Sequence, residues 1–257
     1  MHERTTTLVS IITVVFNGEA HLEQTINSVF NQTYPFIEYI IIDGGSTDNT
    51  ISIIKKYKEK LSYYSSEKDD GIYDAMNKGI TQASGDIIGI INSDDFYNND
   101  TISCVVENYN KNNCPDIIHG DMRLIDEKYT IFIKSSIDNL NINMTINHPS
   151  CFLRSELYRE KMFNQEFDVC ADYDLILHHC FNKRKFSHIS KVIVNMRTGG
   201  VSSDFLKTRR EVFFIQKNYY GMLRAFYNFL FSYFKYALSL VLPIKFLLKV
   251  KKYTYKI

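Results

Sequence analysis

Two adjacent acids, Asp94 and Asp95, directly follow a short non-polar run at 87–91. An apolar run of this length between polar residues is typical of a strand that is buried on both faces of a parallel sheet. Ligands of such sheets bind beyond the carboxyl ends of the strands, so both carboxylates would face a crevice. The residues alone leave two interpretations open: a Mg²⁺ or Mn²⁺ site that holds phosphate oxygens, or a turn that caps the next helix.

Asp43 has the same position at the end of another predicted strand, residues 37–42. Gly44 and Gly45 follow it, and they allow a tight turn that a ligand can approach closely. Two interpretations are again open, because Asp43 either contacts a base or ribose in the crevice or only orders the turn.

The segments that position these acids alternate between strands and helices. Residues 8–16 and 37–42 are mostly apolar and rich in β-branched side chains. Residues 22–30 and 51–57 instead carry non-polar residues at helical spacing. A third, more exposed strand is predicted at 61–65. This alternation predicts an α/β fold with a Rossmann-like, mostly parallel sheet that has helices on both faces.

The chain beyond Asp95 is less regular. We predict a helix at 101–109 and another that opens near Asp172. The remaining predicted elements are short strands at 116–120, 122–125, 130–134 and 151–153, with a turn at 126–128. Arg197 begins a polar, glycine-containing loop at 197–202 that could close over a diphosphate.

The histidines carry a weaker signal. His148 precedes a strand-like segment, and its residue type leaves a structural role and a site role open. His178, His179 and Cys180 are adjacent on a predicted helix, so their side chains should diverge and form a poor metal site.

Charge is distributed unevenly along the 257 residues, although the formal net charge is only +1. Residues 205–257 contain eleven Lys and Arg against one acid, Glu211, so the tail is basic and the body is acidic. The 45% hydrophobic content suits one substantial core, and five cysteines without CxxC spacing predict neither a disulfide framework nor a zinc site. Scattered cysteines and an N-terminus without an apolar signal segment favour a cytoplasmic body.

The division that we predict places one domain at 1–221 and a basic, aromatic, helical tail at 222–257. Lys235, Pro243 and Lys245 interrupt the tail, so no stretch reaches the roughly 20 uncharged residues of a spanning helix. We expect the tail either to lie on the inner face of the cell membrane or to mediate self-association as a homo-oligomer.

Four motifs carry a family resemblance: DGGSTDNT at 43–50, SEKDDGIYDAMNKG at 66–79, GDIIGIINSDD at 85–95 and ADYDL at 171–175. In this order they resemble the inverting GT-A glycosyltransferases of family two, and more narrowly the bacterial members that build capsule, exopolysaccharide or O-antigen. The resemblance spans roughly residues 8–221. It implies a GT-A fold and transfer of a sugar from a nucleotide-sugar donor, most often UDP-linked, to a hydroxyl of a lipid-linked or oligosaccharide acceptor, with inversion.

The same resemblance implies roles for single residues. Asp172 would remove the acceptor proton, and Asp95 would hold Mg²⁺ or Mn²⁺ against the diphosphate. The residues that it assigns to the nucleotide pocket are Thr13, Asn17, Asp43, Asp69, Gly71 and Asp94. Two residues are second-tier candidates: His148 would lie near the donor sugar or the acceptor, and Arg197 would lie near the diphosphate. Ala171 replaces an acid that is common in the family, which removes one possible acceptor contact.

Two other functions remain open, and nothing in the sequence indicates a nucleic-acid partner. A sugar nucleotidyltransferase also combines a doubly wound sheet with a carboxylate-bound metal, but its glycine-rich first loop carries Arg or Lys, whereas residues 16–19 read FNGE. A non-catalytic nucleotide-sugar-binding partner in an assembly complex would not need the whole set of acids. The donor sugar, the acceptor and the linkage are not predicted.

Overall fold

The acids lie on loops of one large sheet. The computed structural model describes residues 6–126, 129–199 and 204–241, and within these residues the sheet has nine strands. Its parallel half contains Val9–Val15 (β1), Ile37–Asp43 (β2), Tyr63–Ser66 (β3) and Ile87–Asn92 (β4), connected by the helices Leu22–Phe30 (α1), Thr50–Tyr57 (α2) and Ile72–Gln82 (α3). The spatial order of the parallel strands is β3, β2, β1, β4. The predicted α/β sheet is therefore confirmed.

Helices cover both faces of this parallel half. Every residue of β1 is buried. Ile11 belongs to a hydrophobic cluster that also contains Leu22 and Ile26 of α1. Ile12 instead lies against Gly79 of α3, where an added Cβ would approach the Ile12 side chain to 2.5 Å. Because successive strand residues face opposite sides of a sheet, α1 and α3 cover opposite faces, as predicted.

The second half of the sheet is mixed. Its elements are Phe96–Tyr97 (β5), Thr101–Lys111 (α4), Ile117–Ile125 (β6), Thr130–Ile133 (β7), Cys151–Arg154 (β8), Ser155–Glu160 (α5), Ala171–Phe181 (α6) and Phe186–Arg197 (β9). β8 runs antiparallel between β4 and β6, and β9 runs parallel to β6 and antiparallel to β5. β7 pairs with β6 in antiparallel register.

This half differs from the prediction in several elements: β5 and α5 were not predicted, and two predicted strands form one. We predicted separate strands at 116–120 and 122–125, but the structure has the single strand β6, whose pairing with β9 shifts register around Gly120 and Asp121. The irregular step breaks the sequence alternation without ending the strand. Residues 127 and 128 of the predicted turn, 200–202 of the predicted loop, and the tail from residue 242 lie outside the described residues.

A second compact unit begins at Asp204 and contains the helices Phe205–Tyr220 (α7) and Met222–Val241 (α8). The Phe205 and Tyr236 rings stack with centroids 4.0 Å apart, and the Asn228 amide donates a hydrogen bond to Gln216 Oε1 at 3.1 Å. The helices therefore form an antiparallel hairpin around residue 221. These contacts group α7 with α8, whereas the predicted division fell between them.

None of the helices in the described residues combines the length and the apolar character that crossing a bilayer requires.

Candidate active site

The two acidic loops flank the end of one central strand. β1 pairs with β2 on one side and with β4 on the other, and Val15 lies opposite Asp43 while Val14 lies opposite Asn92. The three strands are parallel, so the loops that carry Asp43 and Asp94 leave the sheet at the same edge. This carboxyl edge is where open α/β sheets bind their ligands.

Asp43 is fully buried, and its carboxylate organises the turn after β2. Oδ2 accepts hydrogen bonds from the Gly45 amide at 3.2 Å, the Ser46 amide at 3.1 Å and the Ser66 hydroxyl at 2.7 Å, and Oδ1 accepts one from the Ser46 hydroxyl. A buried carboxylate needs such donors. The structure thus contains the turn-ordering bonds of Asp43, while its contact with a base stays a prediction.

Asp69 lies directly against Gly44. A Cβ added to Gly44 would meet the Asp69 carboxylate, whose carbon would be only 2.9 Å away. Asp69 Oδ1 also accepts a hydrogen bond from the Gly71 amide at 3.0 Å. Gly71 has φ +116°, a conformation that residues with a Cβ rarely adopt. The loops after β2 and β3 therefore pack together beside the Asp43 turn.

Asn17 and Thr13, both assigned to the nucleotide pocket, have different surroundings. Asn17 is exposed; its amide donates to the Ser46 hydroxyl at 2.7 Å, and its Oδ1 accepts from the Thr47 amide at 2.8 Å. Thr13 is completely buried two residues before the end of β1, and its hydroxyl lies 3.0 Å from the Tyr39 hydroxyl. The structure brings Asn17, but not Thr13, to the surface of the Asp43 turn.

Asp95 has a buried carboxylate oxygen without a partner. Oδ1 accepts a hydrogen bond from the Arg197 amide at 3.0 Å, whereas Oδ2 has no hydrogen-bond partner within the described part of the chain. Burial, followed by the charge of Asp94, raises the pKa of Asp95 to about 7. A buried carboxylate oxygen without a partner is costly unless a proton or a cation compensates it. Asp95 therefore fits a hard divalent cation, and the nearby Asn92, whose Oδ1 is also buried and unpartnered, offers a second oxygen.

Arg197 brings positive charge to the same place. It is the last residue of β9, and its guanidinium donates hydrogen bonds to the Asp94 carbonyl and, at 2.5 Å, to Gln24 Oε1. The guanidinium carbon also lies 5.2 Å from the centroid of the Phe96 ring. The structure thus brings this second-tier candidate into contact with the Asp94–Asp95 pair.

Asp172 is half-buried at the start of α6. Its Oδ1 accepts a hydrogen bond from the Tyr173 amide at 2.8 Å and lies 3.4 Å from the Tyr73 hydroxyl of α3. Cys151 is the first residue of β8. The pKa of its thiol is raised mainly by burial and secondly by the negative charge of Asp172, so Asp172 lies near the start of β8. Because β8 is antiparallel to β4, its start lies toward the carboxyl end of β4. Asp172 and Asp95 therefore lie along one edge of the sheet.

Asp174, two residues further along α6, lies in a separate environment. Its side chain is nearly buried, and Oδ2 is 2.8 Å from the Lys161 ammonium nitrogen. Residues two apart on a helix face different directions, so Asp172 and Asp174 do not enter the same site.

His148 connects to this region through aromatic rings. Its imidazole packs edge-on against Phe163 at 5.5 Å between centroids, and Phe163 stacks on Tyr73 at 5.3 Å. Burial lowers the pKa of His148 to about 4, so its ring is neutral at pH 7. The Tyr73 hydroxyl then links this aromatic group to Asp172.

Sequence reasoning did not select Asn92, Ser66 or Tyr73 as site residues. All three lie inside the quoted motifs at 85–95 and 66–79, so their position in these motifs could have identified them as site residues. Tyr39, which supports Thr13, had no comparable signal.

The fold and the site together define a GT-A glycosyltransferase domain. S. aureus TarS, solved in complex with UDP-GlcNAc, superimposes with a TM-score of 0.69 at 19% identity, over 81% of this chain and 65% of that one. The mannosyltransferase PcManGT from Pyrobaculum calidifontis, in complex with GDP-Man and Mn²⁺, has a TM-score of 0.60 at 17% identity, over 82% and 62%. At these identities the likeness concerns the fold.

The family model named Glycosyl transferase family 2 matches residues 10–169. This chain therefore belongs to glycosyl transferase family 2. A PGL/p-HBAD biosynthesis glycosyltransferase of Mycobacterium tuberculosis is 28% identical over 212 residues, which is 77% of this chain and 82% of that protein. An uncharacterised glycosyltransferase of Rickettsia conorii is 35% identical over 185 residues; the match covers 66% of this chain and 30% of that protein's length.

Proposed function

We propose that this chain transfers a sugar from a UDP-linked donor to a hydroxyl of a lipid-linked saccharide, with inversion, in the biosynthesis of a cell-surface polysaccharide. The observation that carries the proposal is the unpartnered, buried Asp95 oxygen in the same cluster as the Arg197 guanidinium. A cation ligand and a fixed positive charge at the carboxyl edge of the sheet suit a nucleoside diphosphate.

The proposed reaction is a direct displacement at the anomeric carbon. Asp172 accepts the proton of the acceptor hydroxyl while the hydroxyl oxygen attacks from the face opposite the leaving nucleoside diphosphate, and this geometry inverts the anomeric centre. Arg197 stabilises the negative charge that develops on the diphosphate. Asp95 and Asn92 would hold Mg²⁺ or Mn²⁺, which when bound supplies further stabilisation of that charge.

The proposed nucleotide pocket is built from the loops around the end of β1. Asp43 binds the pyrimidine ring, Asp94 binds the ribose, and Asn17 closes the pocket from the loop after β1. Asp69 and Gly71 hold its shape through their contacts with each other and with Gly44. Thr13 supports the pocket from within the sheet through Tyr39. The UDP-GlcNAc complex of TarS supports UDP as the nucleotide, whereas the GDP-Man complex of PcManGT is the alternative to be tested.

We propose that α8 holds the enzyme peripherally at the cytoplasmic face of the membrane, where lipid-linked acceptors are present. Large apolar side chains at Leu223, Tyr227, Leu230 and Phe234 recur at helical spacing and are exposed, and Arg224 and Lys235 lie on the same helix. A helix of this type suits an anionic membrane surface. Co-sedimentation with anionic vesicles but not with zwitterionic vesicles is expected; a salt-independent dimer in light scattering without vesicle binding would instead indicate self-association.

A ligand panel tests the enzymatic proposal. UDP, dTDP, GDP and CMP are added singly to the wild type and to Asp95→Asn, each with and without Mn²⁺, and the unfolding temperature is measured. We expect stabilisation by UDP that requires Mn²⁺ and is lost in Asp95→Asn, since asparagine keeps the shape but not the charge. Stabilisation by none of the four nucleotides would contradict the proposal.

Two product assays separate this proposal from the alternatives. Slow release of UDP from UDP-sugar by the purified protein excludes a non-catalytic binding partner. Pyrophosphate release from UTP and a sugar 1-phosphate would indicate a nucleotidyltransferase, and we expect none.

A further inference from the structure

A second cluster of metal-ligating side chains lies on α5 and α6. Glu160 is the last residue of α5, and His178 and His179 lie in the last turn of α6. One ligand atom from each residue lies within 4.8 Å of the other two. The histidines are six and seven residues from Asp172, about 10 Å along the helix. We expected the adjacent histidines to make a poor metal site. The structure adds Glu160 from α5, whose carboxylate lies near a ring nitrogen of each histidine.

His179 is the first reason to infer a ligand. The residue is fully buried, yet neither of its ring nitrogens has a hydrogen-bond partner within the described residues. An unsatisfied buried polar group is destabilising, so native proteins rarely contain one.

His178 is the second reason. Its Nε2 lies 3.0 Å from the Asn182 amide nitrogen and 3.3 Å from Glu160 Oε1. One ring nitrogen cannot accept a hydrogen bond from an amide and donate one to a carboxylate at the same time. A cation between Nε2 and Oε1 removes this conflict, because both atoms then direct lone pairs at it. The Asn182 amide can donate to Glu160 Oε1 instead, from which it is 3.5 Å away.

Arg184 orients the carboxylate. Its guanidinium donates to Glu160 Oε2, which leaves Oε1 on the side of His178. A hydrogen-bonded outer partner of this kind is a regular feature of carboxylates that bind metals.

We propose that Glu160, His178 and His179 bind one Zn²⁺ ion that ties α5 to α6. Two imidazoles and one carboxylate are a recognised zinc donor set, and the fourth tetrahedral position would take water. The site lies apart from the proposed sugar-transfer site, and the role of the ion is structural, because it connects α5 to α6.

Zinc binding is measured by calorimetry on the full chain after treatment with a chelator, in the Asp95→Asn background so that the proposed catalytic cation site is removed. We expect one Zn²⁺ per chain, a higher unfolding temperature, and visible absorption bands when Co²⁺ replaces Zn²⁺. His178→Gln removes a direct ligand and should weaken binding by more than about 100-fold, since loss of an outer partner alone typically costs about 10- to 100-fold, and it should abolish the Co²⁺ bands. His21→Gln, an exposed histidine before α1, is the matched control and should change nothing.

His179→Gln should have the same effect as His178→Gln. If the His179 variant does not fold, the half-buried His178 decides the question, with circular dichroism to verify that its variant is folded. Absence of zinc binding by the Asp95→Asn protein overturns the proposal, and so does binding of unchanged affinity in His178→Gln. Neither result would bear on sugar transfer, which the nucleotide panel measures with Mn²⁺.

Discussion

The Asp69 carboxylate occupies the space that a side chain at position 44 would need. The two residues belong to different motifs and lie on different loops, after β2 and after β3. Gly44 is thus required by a neighbour rather than by its own backbone conformation, since its φ is not among the positive values of the chain. The contact packs the two loops of the proposed nucleotide pocket against each other.

Replacement of Gly44 tests this contact. Gly44→Ala should lower the free energy of unfolding by about 1–3 kcal/mol, because the new methyl group overpacks the site, and it should weaken UDP binding. Urea unfolding and the UDP-induced thermal shift are the measurements. Adding Asp69→Ala to Gly44→Ala should restore stability, since the overlapping group is removed. A double variant that is as unstable as the sum of both single variants would show that the two residues do not clash.

Asp172 carries the proposed proton transfer. Asp172→Asn should lower kcat by about 10² to 10⁴-fold with donor binding largely retained, because the amide cannot accept the acceptor proton. Steady-state kinetics and UDP-sugar titration make the comparison. Asp70→Asn, an exposed acid with no assigned role, is the control and should keep normal turnover. Near-normal turnover in Asp172→Asn would remove Asp172 from the base role.

Asp174 should affect stability. Asp174→Asn removes the charge of the carboxylate that lies 2.8 Å from the Lys161 ammonium in a largely buried pair, and we expect a loss of about 3 kcal/mol in the free energy of unfolding. The matched control is Glu107→Gln, which breaks the exposed Glu107–Lys111 pair on α4 and should cost less than about 0.5 kcal/mol. Equal losses in the two variants, measured by urea unfolding, would show that the burial of the Asp174 pair is unimportant.

His119 makes stability depend on pH. Burial, then the neighbouring His188, lower the pKa of His119 from 6.5 to about 4, while Asp121 opposes the shift. Between these values the unfolded chain binds more protons than the folded chain. The contribution of His119 is therefore complete above pH 6.5 and is lost as the pH falls toward 4, by up to about 3 kcal/mol.

Urea unfolding between pH 7 and pH 4.5 measures this effect. His148 and His179 change stability in the same direction, so the difference between the wild-type and His119→Gln profiles isolates His119. His119→Gln should flatten the profile. Parallel profiles for the two proteins would contradict the assignment.

Local patterns in the sequence were sufficient for the parallel half of the fold. The segments that became β1, β2 and β4 are short, mostly apolar and followed by polar residues, which is typical of strands in the interior of a sheet. Asp43, Asp94 and Asp95 follow those runs directly, so their common edge was predictable. The strand β5 could not be predicted, because its two residues are too few to show a hydrophobic pattern.

The sequence by itself determined the α/β class, the order of the parallel elements and the acids at the strand ends, because these depend on side-chain periodicity within a few residues. Tertiary structure alone decided which distant residues meet. The Arg197 backbone amide donates a hydrogen bond to the Asp95 carboxylate, although the two residues are 102 positions apart in the sequence. Glu160 on α5 likewise lies next to His178 on α6. Such contacts arise from the packing of whole elements, which the local spacing of residues does not encode.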